Sequence, residues 1–208
     1  VEQSYSWLKS PRWKDRSMEV GPLARVLLMY AKGHEPTMEL ANFALKKLDA
    51  PIEAMFSTLG RTAARTLESK LLADQMQGWY DALVSNIKGG DTQTFNPNLW
   101  NPSSWPSECQ GAGFMEAPRG ALGHWIVIEG GKIANYQAVV PSTWNAGPRD
   151  PNDIPGAYEA ALEDNHELQD PEQPVEILRS LHSFDPCLAC STHVISHDGK
   201  EMSTVKVR

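Results

Sequence analysis

A chain of 208 residues with 41% hydrophobic content is long enough for one large domain or two small ones around a real core. Its formal net charge of −7 argues against nucleic acid or an anionic membrane surface as the main partner. No apolar run reaches the length of about eighteen residues needed for a membrane helix, no signal peptide stands at the front, and three cysteines do not make a disulfide framework.

Val1 to Ser17 mixes Trp7, Trp13, basic residues and Pro11 and reads as an irregular segment. From Glu19 the pattern turns helical, with Leu23, Val26, Leu27 and Tyr30 at helical spacing and Gly33 as the stop. Pro36 and Thr37 open a second helix, with Met38, Ala41, Leu45 and Leu48 on one stripe. A third runs from Pro51 to Gly89-Gly90 on a stripe of Ile52, Met55, Leu59, Ala63, Leu67, Leu71, Trp79, Leu83 and Ile87, with a kink expected at Gly60 or Gly78. Unbroken, it spans on the order of 50 Å. These stripes predict core packing, and Arg61, Arg65 and Lys70 a solvated face.

Asp91 to Gly111, rich in Asn, Pro, Ser and Trp, predicts a long ordered loop anchored by burial of Trp100 and Trp105, with Cys109 a bystander in it. Trp125–Glu129 and Ile133–Val140 flank Gly130-Gly131-Lys132 and predict a hairpin. Pro141 to Pro155 is turn-rich, and Ala157–Leu162 and Val175–Leu181 predict short helices. The tail from Val194 to Arg208 predicts two strands around Asp198-Gly199. The fold class expected is mainly α, a helical bundle with a small antiparallel β element.

Asp185-Pro186-Cys187-Leu188-Ala189-Cys190-Ser191-Thr192-His193 concentrates a carboxylate, two thiols and a histidine in nine residues. Asp185 suits a helix N-cap and Pro186 the first helical position, so a short helix is expected here. On such a helix Cys187 and Cys190 share a face, His193 follows at the same spacing, and the positive dipole end favours thiolates. Soft thiolates select a transition metal over magnesium or calcium.

Other readings of CxxC remain in view. Ser191 stands where a c-type haem site needs histidine, and a thioredoxin-like pair wants a preceding strand. A structural zinc held by the pair and His193 would want a fourth ligand. A pair of buried structural cysteines is the plainest alternative.

The same string, with the fifteen residues behind it, resembles the C-terminal signature of nickel-iron hydrogenase large subunits. So do Gly113-Phe114-Met115-Glu116-Ala117-Pro118-Arg119-Gly120 and Val139-Val140-Pro141-Ser142-Thr143-Trp144-Asn145. The three segments keep the family's order and approximate separations. The resemblance covers Tyr5 to Arg208 and is nearest to the membrane-bound uptake type.

It implies reversible heterolytic oxidation of H2 at a nickel-iron site whose iron carries carbonyl and cyanide ligands. Cys187 matches a terminal nickel ligand, Cys190 a thiolate bridging nickel and iron, Asp185 a carboxylate close to nickel, and His193 a ligand of a nearby magnesium. Arg119 matches the arginine over the open coordination position, and a cysteine thiolate or Arg119 would take the proton. Pro118, Arg119, Leu122, Val140, Pro141 and Ser142 match the pocket of the iron's diatomic ligands. From spacing alone, Arg119 would be an arginine bridging to a carboxylate, Ser142 a turn serine and His124 a structural histidine.

Electrons would pass to a small iron-sulfur subunit. Residues 1–193 would be the C-terminal part of the catalytic domain, and 194–208 an extension that a maturation endopeptidase removes. The family's second pair of cysteines, in an N-terminal RxCGxxC-like motif, has no match here. The chain is therefore expected to be a piece of a longer polypeptide, inactive alone. Membrane contact would be indirect, through partner subunits on the periplasmic side of the bacterial cytoplasmic membrane. The precursor would be cytoplasmic and exported with the small subunit.

Overall fold

The computed structural model describes residues 5–98, 100–163, 167–187, 191–195 and 198–206; of 191–194 and 202–206 the backbone alone is described. The chain opens with an extended segment and then forms α1 (Pro22–Ala31), α2 (Glu35–Leu48), a 3-10 turn (Ile52–Met55) and α3 (Thr58–Lys88). Proline within the first two positions starts both α1 and α2, where its missing N–H costs nothing. α1 packs chiefly on α3, and Leu23, Val26, Met55 and Ala64 form the buried centre, ringed by Leu27, Met29, Leu45, Ile52 and Leu67.

The third helical run is not continuous. Phe56 and Ser57 separate the 3-10 turn from α3, and the Ser57 hydroxyl caps α3 by accepting from the Gly60 amide at 3.0 Å. Gly60 is no kink. A side chain there would fall 2.1 Å from the Met55 carbonyl oxygen, so glycine lets the turn fold back against the helix. α3 spans about 46 Å at a rise of about 1.5 Å per residue, and its stripe is not the core expected. Leu59, Trp79, Leu83 and Ile87 are all more than half exposed.

Arg61 and Arg65 also depart from the expected solvated face. The Arg61 side chain is 11% exposed and pairs with Glu19. Lys70 does lie in solvent, paired with Asp74. Trp100 and Trp105 are 78% and 50% exposed, not the buried anchors expected.

The sheet is larger than the expected small element: β1 (Glu108–Ala117), β2 (Gly120–Glu129) and β3 (Lys132–Val139) pair antiparallel in chain order. The β2–β3 turn is the expected one, with Gly130 and Gly131 both at positive φ, as a tight hairpin of this hand requires. β1 was not expected. It pairs with β2 along its whole length, from Glu108 opposite Glu129 to Ala117 opposite Gly120, and it carries Cys109.

After the sheet come α4 (Pro141–Asn145), α5 (Ala157–Leu162), α6 (Val175–Ser183) and a separate hairpin of β4 (Ser191–Ile195) and β5 (Glu201–Lys206). The architecture among the described residues is thus six helices with a three-stranded antiparallel sheet and a terminal hairpin.

Buried Asn145 ties the extended N-terminal segment to the end of α4. Its side chain accepts from the Val20 amide and donates to the Val20 carbonyl, both at 2.9 Å. Arg12 donates to the Pro148 and Arg149 carbonyls, and Asp150 accepts from the amides of Ser17, Asn152 and Ile154. Burial works against the Asp150 charge, but these three hydrogen bonds and the nearby Arg12 hold its carboxyl below the ordinary carboxylate value.

Candidate metal centre

Arg119 sits at the tip of the β1–β2 hairpin, in a two-residue connection closed by the pairing of Ala117 with Gly120. The backbone there is crowded from the start of α1. Gly21 has φ 127°, and a Cβ on it would lie 2.8 Å from the Arg119 carbonyl oxygen. Gly120 has φ 134°, and a Cβ there would lie 2.7 Å from the Gly21 nitrogen. Side chains are excluded at both positions by contact as well as by conformation.

Arg25 of α1 holds the same tip from below. Its Nε and Nη2 donate to the two carboxylate oxygens of Glu68 on α3, at 2.5 and 2.7 Å. Nη1 donates to Glu116 Oε2 at 2.9 Å and to the Ala117 carbonyl at 3.0 Å, and Nη2 donates to the Pro118 carbonyl at 2.8 Å. Burial opposes the charge, yet the bonds to Glu68 and Glu116 outweigh it and push the guanidinium above its ordinary value.

The Arg119 side chain reaches the end of α6. Its Nε donates to the Asp185 carbonyl at 2.9 Å and lies 3.2 Å from Asp185 Oδ2. The bridge to a carboxylate expected from spacing is therefore present, and its partner is the first residue of the nine-residue motif. Two arginines of α3, four apart and so on one face, fix where that motif starts. Arg65 donates to the Ser183 carbonyl at 3.0 Å, and Arg61 stacks over the ring of buried Phe184 at 3.9 Å. Cations at the C-terminal end of a helix also oppose its negative dipole end.

Asp185 does not start a helix. α6 ends at Ser183, the Asp185 amide closes on the His182 carbonyl at 2.9 Å, and Asp185 takes φ 52°. The residue before a proline is kept out of right-handed helix by the proline ring, so the chain turns away here. Residues 185–187 are irregular, and β4 begins at Ser191. Among the described residues, Cys187 follows the C-terminal end of α6 and so lacks the dipole support expected from a helix N-terminus. Cys187 is exposed, and its amide donates to the Ser142 hydroxyl at 2.9 Å. Cys190 lies outside the described residues. The His193 backbone pairs with Thr204 in the terminal hairpin.

The remaining expected residues divide among three places. Pro118 stands beside Arg119 at the tip, while Val140, Pro141 and Ser142 form the entry to α4, with Ser142 touching the motif. Leu122 lines an apolar cleft of about 680 Å³ between the sheet and the N-terminal segment, with Trp13, Phe114, Trp125, Val139 and Trp144. His124 contacts the Tyr136 hydroxyl across the sheet, as a structural histidine would. No group of three or more metal-ligating side chains is assembled among the described residues. The exposed thiol of Cys187, with Arg119 and Asp185 alongside, fits one side of a soft-metal site. The motif itself supplies two thiols, Cys187 and Cys190.

The family described as nickel-dependent hydrogenase matches residues 1–193. The chain is 57% identical over 204 residues to the uptake hydrogenase large subunit of Bradyrhizobium diazoefficiens, covering 98% of this chain and 34% of that one. It is 53% identical over 207 residues to the hydrogenase-1 large chain of Escherichia coli K12, with 100% and 34% covered. The reduced Ni-Fe-Se hydrogenase of Desulfovibrio vulgaris Hildenborough superposes with a TM-score of 0.68 at 35% identity, over 90% of this chain and 38% of that one. The chain spans about a third of the length of the curated relatives it matches. On the motifs, the fold and these likenesses together, the chain belongs to the nickel-dependent hydrogenase family.

Proposed function

We propose that this chain is the C-terminal portion of a nickel-iron hydrogenase large subunit, and that the complete protein oxidises H2 reversibly and heterolytically, to two protons and two electrons. The observation that carries the reading is the contact of Arg119 with Asp185 at the head of the Cys187–Cys190 motif. Cys187 and Cys190 would hold the nickel-iron centre with thiolates from outside this chain, and His193 a magnesium. When bound, the centre supplies a soft Lewis acid and a two-electron redox couple, its iron carrying carbonyl and cyanide ligands.

The chain's own residues orient the site and accept a proton. The Arg119 fork, fixed through Nε, presents planar N–H donors beside the motif, and Asp185 offsets its charge. A thiolate Sγ of Cys187 or Cys190, or Arg119, is the base that takes the proton. Pro118, Leu122, Val140, Pro141 and Ser142 would line the pocket of the iron's ligands, with Ser142 also holding the Cys187 amide. Electrons would leave through a small iron-sulfur subunit, as the large-subunit names of the relatives imply.

No helix among the described residues is long and apolar enough to cross a membrane. Attachment to the periplasmic side of the cytoplasmic membrane would come through partner subunits after export with the small subunit. Metal analysis of the complete protein tests the reading: nickel and iron together are expected, and zinc without either would favour the structural-zinc module instead.

Residues 194–208 are proposed to be an extension cut by an endopeptidase after His193. The family match stops at residue 193, and the β4–β5 hairpin joins Ser191, Thr192 and His193 to the tail through Lys206, Val205 and Thr204. Cutting would therefore release the motif's last three residues from their strand partners. Intact-mass analysis in a host with the maturation system should show loss of 194–208 that depends on nickel; a fully active enzyme retaining Arg208 would rule this out.

A further inference from the structure

We infer that Arg25, which has no part in the proposed chemistry, is a positioning residue for Arg119; the inference rests on Arg119 acting at the metal centre as proposed above. A guanidinium carries five N–H donors, and Arg25 directs five hydrogen bonds to protein acceptors. Two go to Glu68, which anchors the group on α3. The other three go to Glu116, Ala117 and Pro118, the three residues immediately before Arg119.

A two-residue hairpin tip has few internal restraints of its own. Here the two carbonyls that precede Arg119 are both bonded to one rigid planar group, itself bolted to two packed helices. The Arg119 carbonyl is meanwhile confined by Gly21 at the start of the same helix. The base of the Arg119 side chain is thus set by α1 and its head by Asp185. Freed at its base, the side chain could keep the Asp185 contact while its fork drifted, and a displacement of about 1 Å at a reacting group can cost on the order of a hundredfold in rate. Lysine at position 25 keeps the charge but has three donors and no fork, so it cannot serve two carboxylates and two carbonyls at once.

The test combines kinetics with hydrogen exchange. In the complete enzyme, Arg25→Lys should lower H2 turnover about tenfold at unchanged nickel and iron content. In an Arg119→Lys background the same change should cost less than about twofold, because both act through one group. In the metal-free large subunit, the amides of Glu116, Ala117, Arg119 and Gly120 should exchange about tenfold faster in Arg25→Lys while those of the α1–α3 core keep their rates.

Equal losses in the two backgrounds, or unchanged exchange at the tip, would overturn the role of Arg25. Normal turnover in Arg119→Lys alone would defeat the underlying reading of Arg119, a distinct result. If Arg25→Lys fails to accumulate with its metals, Glu68→Gln carries the same three comparisons, since it leaves the guanidinium in place and weakens its anchor.

Discussion

The hairpin tip carrying Arg119 and the stretch carrying Cys187 meet through one ion pair, yet they are held in opposite ways. Arg25, Gly21 and Gly120 confine the tip from within this chain. Cys187 is exposed and tied by its amide to Ser142. The difference teaches that the arginine side is fixed by contacts within this chain, whereas the Cys187 thiol faces outward.

Substituting the arginine is the strongest way to break the comparison. Arg119→Lys in the complete enzyme keeps the charge and loses the fork, so turnover should fall on the order of a hundredfold with metal content intact. Paired turnover and metal assays check this, and a fully loaded variant with normal turnover would leave Arg119 a purely structural bridge to Asp185.

On the open side, Ser142→Ala removes the acceptor of the Cys187 amide. A net loss of about 1 kcal/mol is expected, read as faster hydrogen exchange at that amide, with the tip amides of Glu116, Ala117, Arg119 and Gly120 unaffected. Equal acceleration at both places would mean that the two regions are one unit.

The smallest effect sharpens the comparison through pH. Asp150 fastens the N-terminal segment to the loop after α4, and its folded carboxyl lies below the ordinary value of 3.8. A carboxyl depressed in the folded state stabilises above its unfolded pKa, and that contribution is lost as pH falls through the folded one. Wild type should therefore exceed Asp150→Asn in thermal stability near neutral pH, with the gap closing below about pH 4. A gap constant down to pH 2.5 would remove the charge from the explanation.

α1, α2, the β2–β3 hairpin and the terminal hairpin were legible because each is a local pattern: helical spacing closed by proline and glycine, or two strand-like runs flanking Gly-Gly or Asp-Gly. β1 was not, since Glu108–Ala117 has two interior glycines and little burial, and only its register against β2 makes it a strand. The motif residues were legible as chemistry, through the density of Cys, His and Asp. Their conformation was not. A capping aspartate followed by proline looks the same whether a helix begins after it or has just ended before it, and here the preceding α6 decides.

Arg25 shows the same limit from the other side. Within Pro22–Ala31 it is one polar position on an amphipathic helix, and no local signal separates it from a solvated arginine. Its five acceptors come from residues 43 and 91 to 93 positions away in the chain. Residue types and their spacing determined which metal chemistry this protein can offer. Which charge holds which loop was left to tertiary contact, because a hydrogen bond is satisfied by proximity in space and carries no trace in the neighbouring sequence.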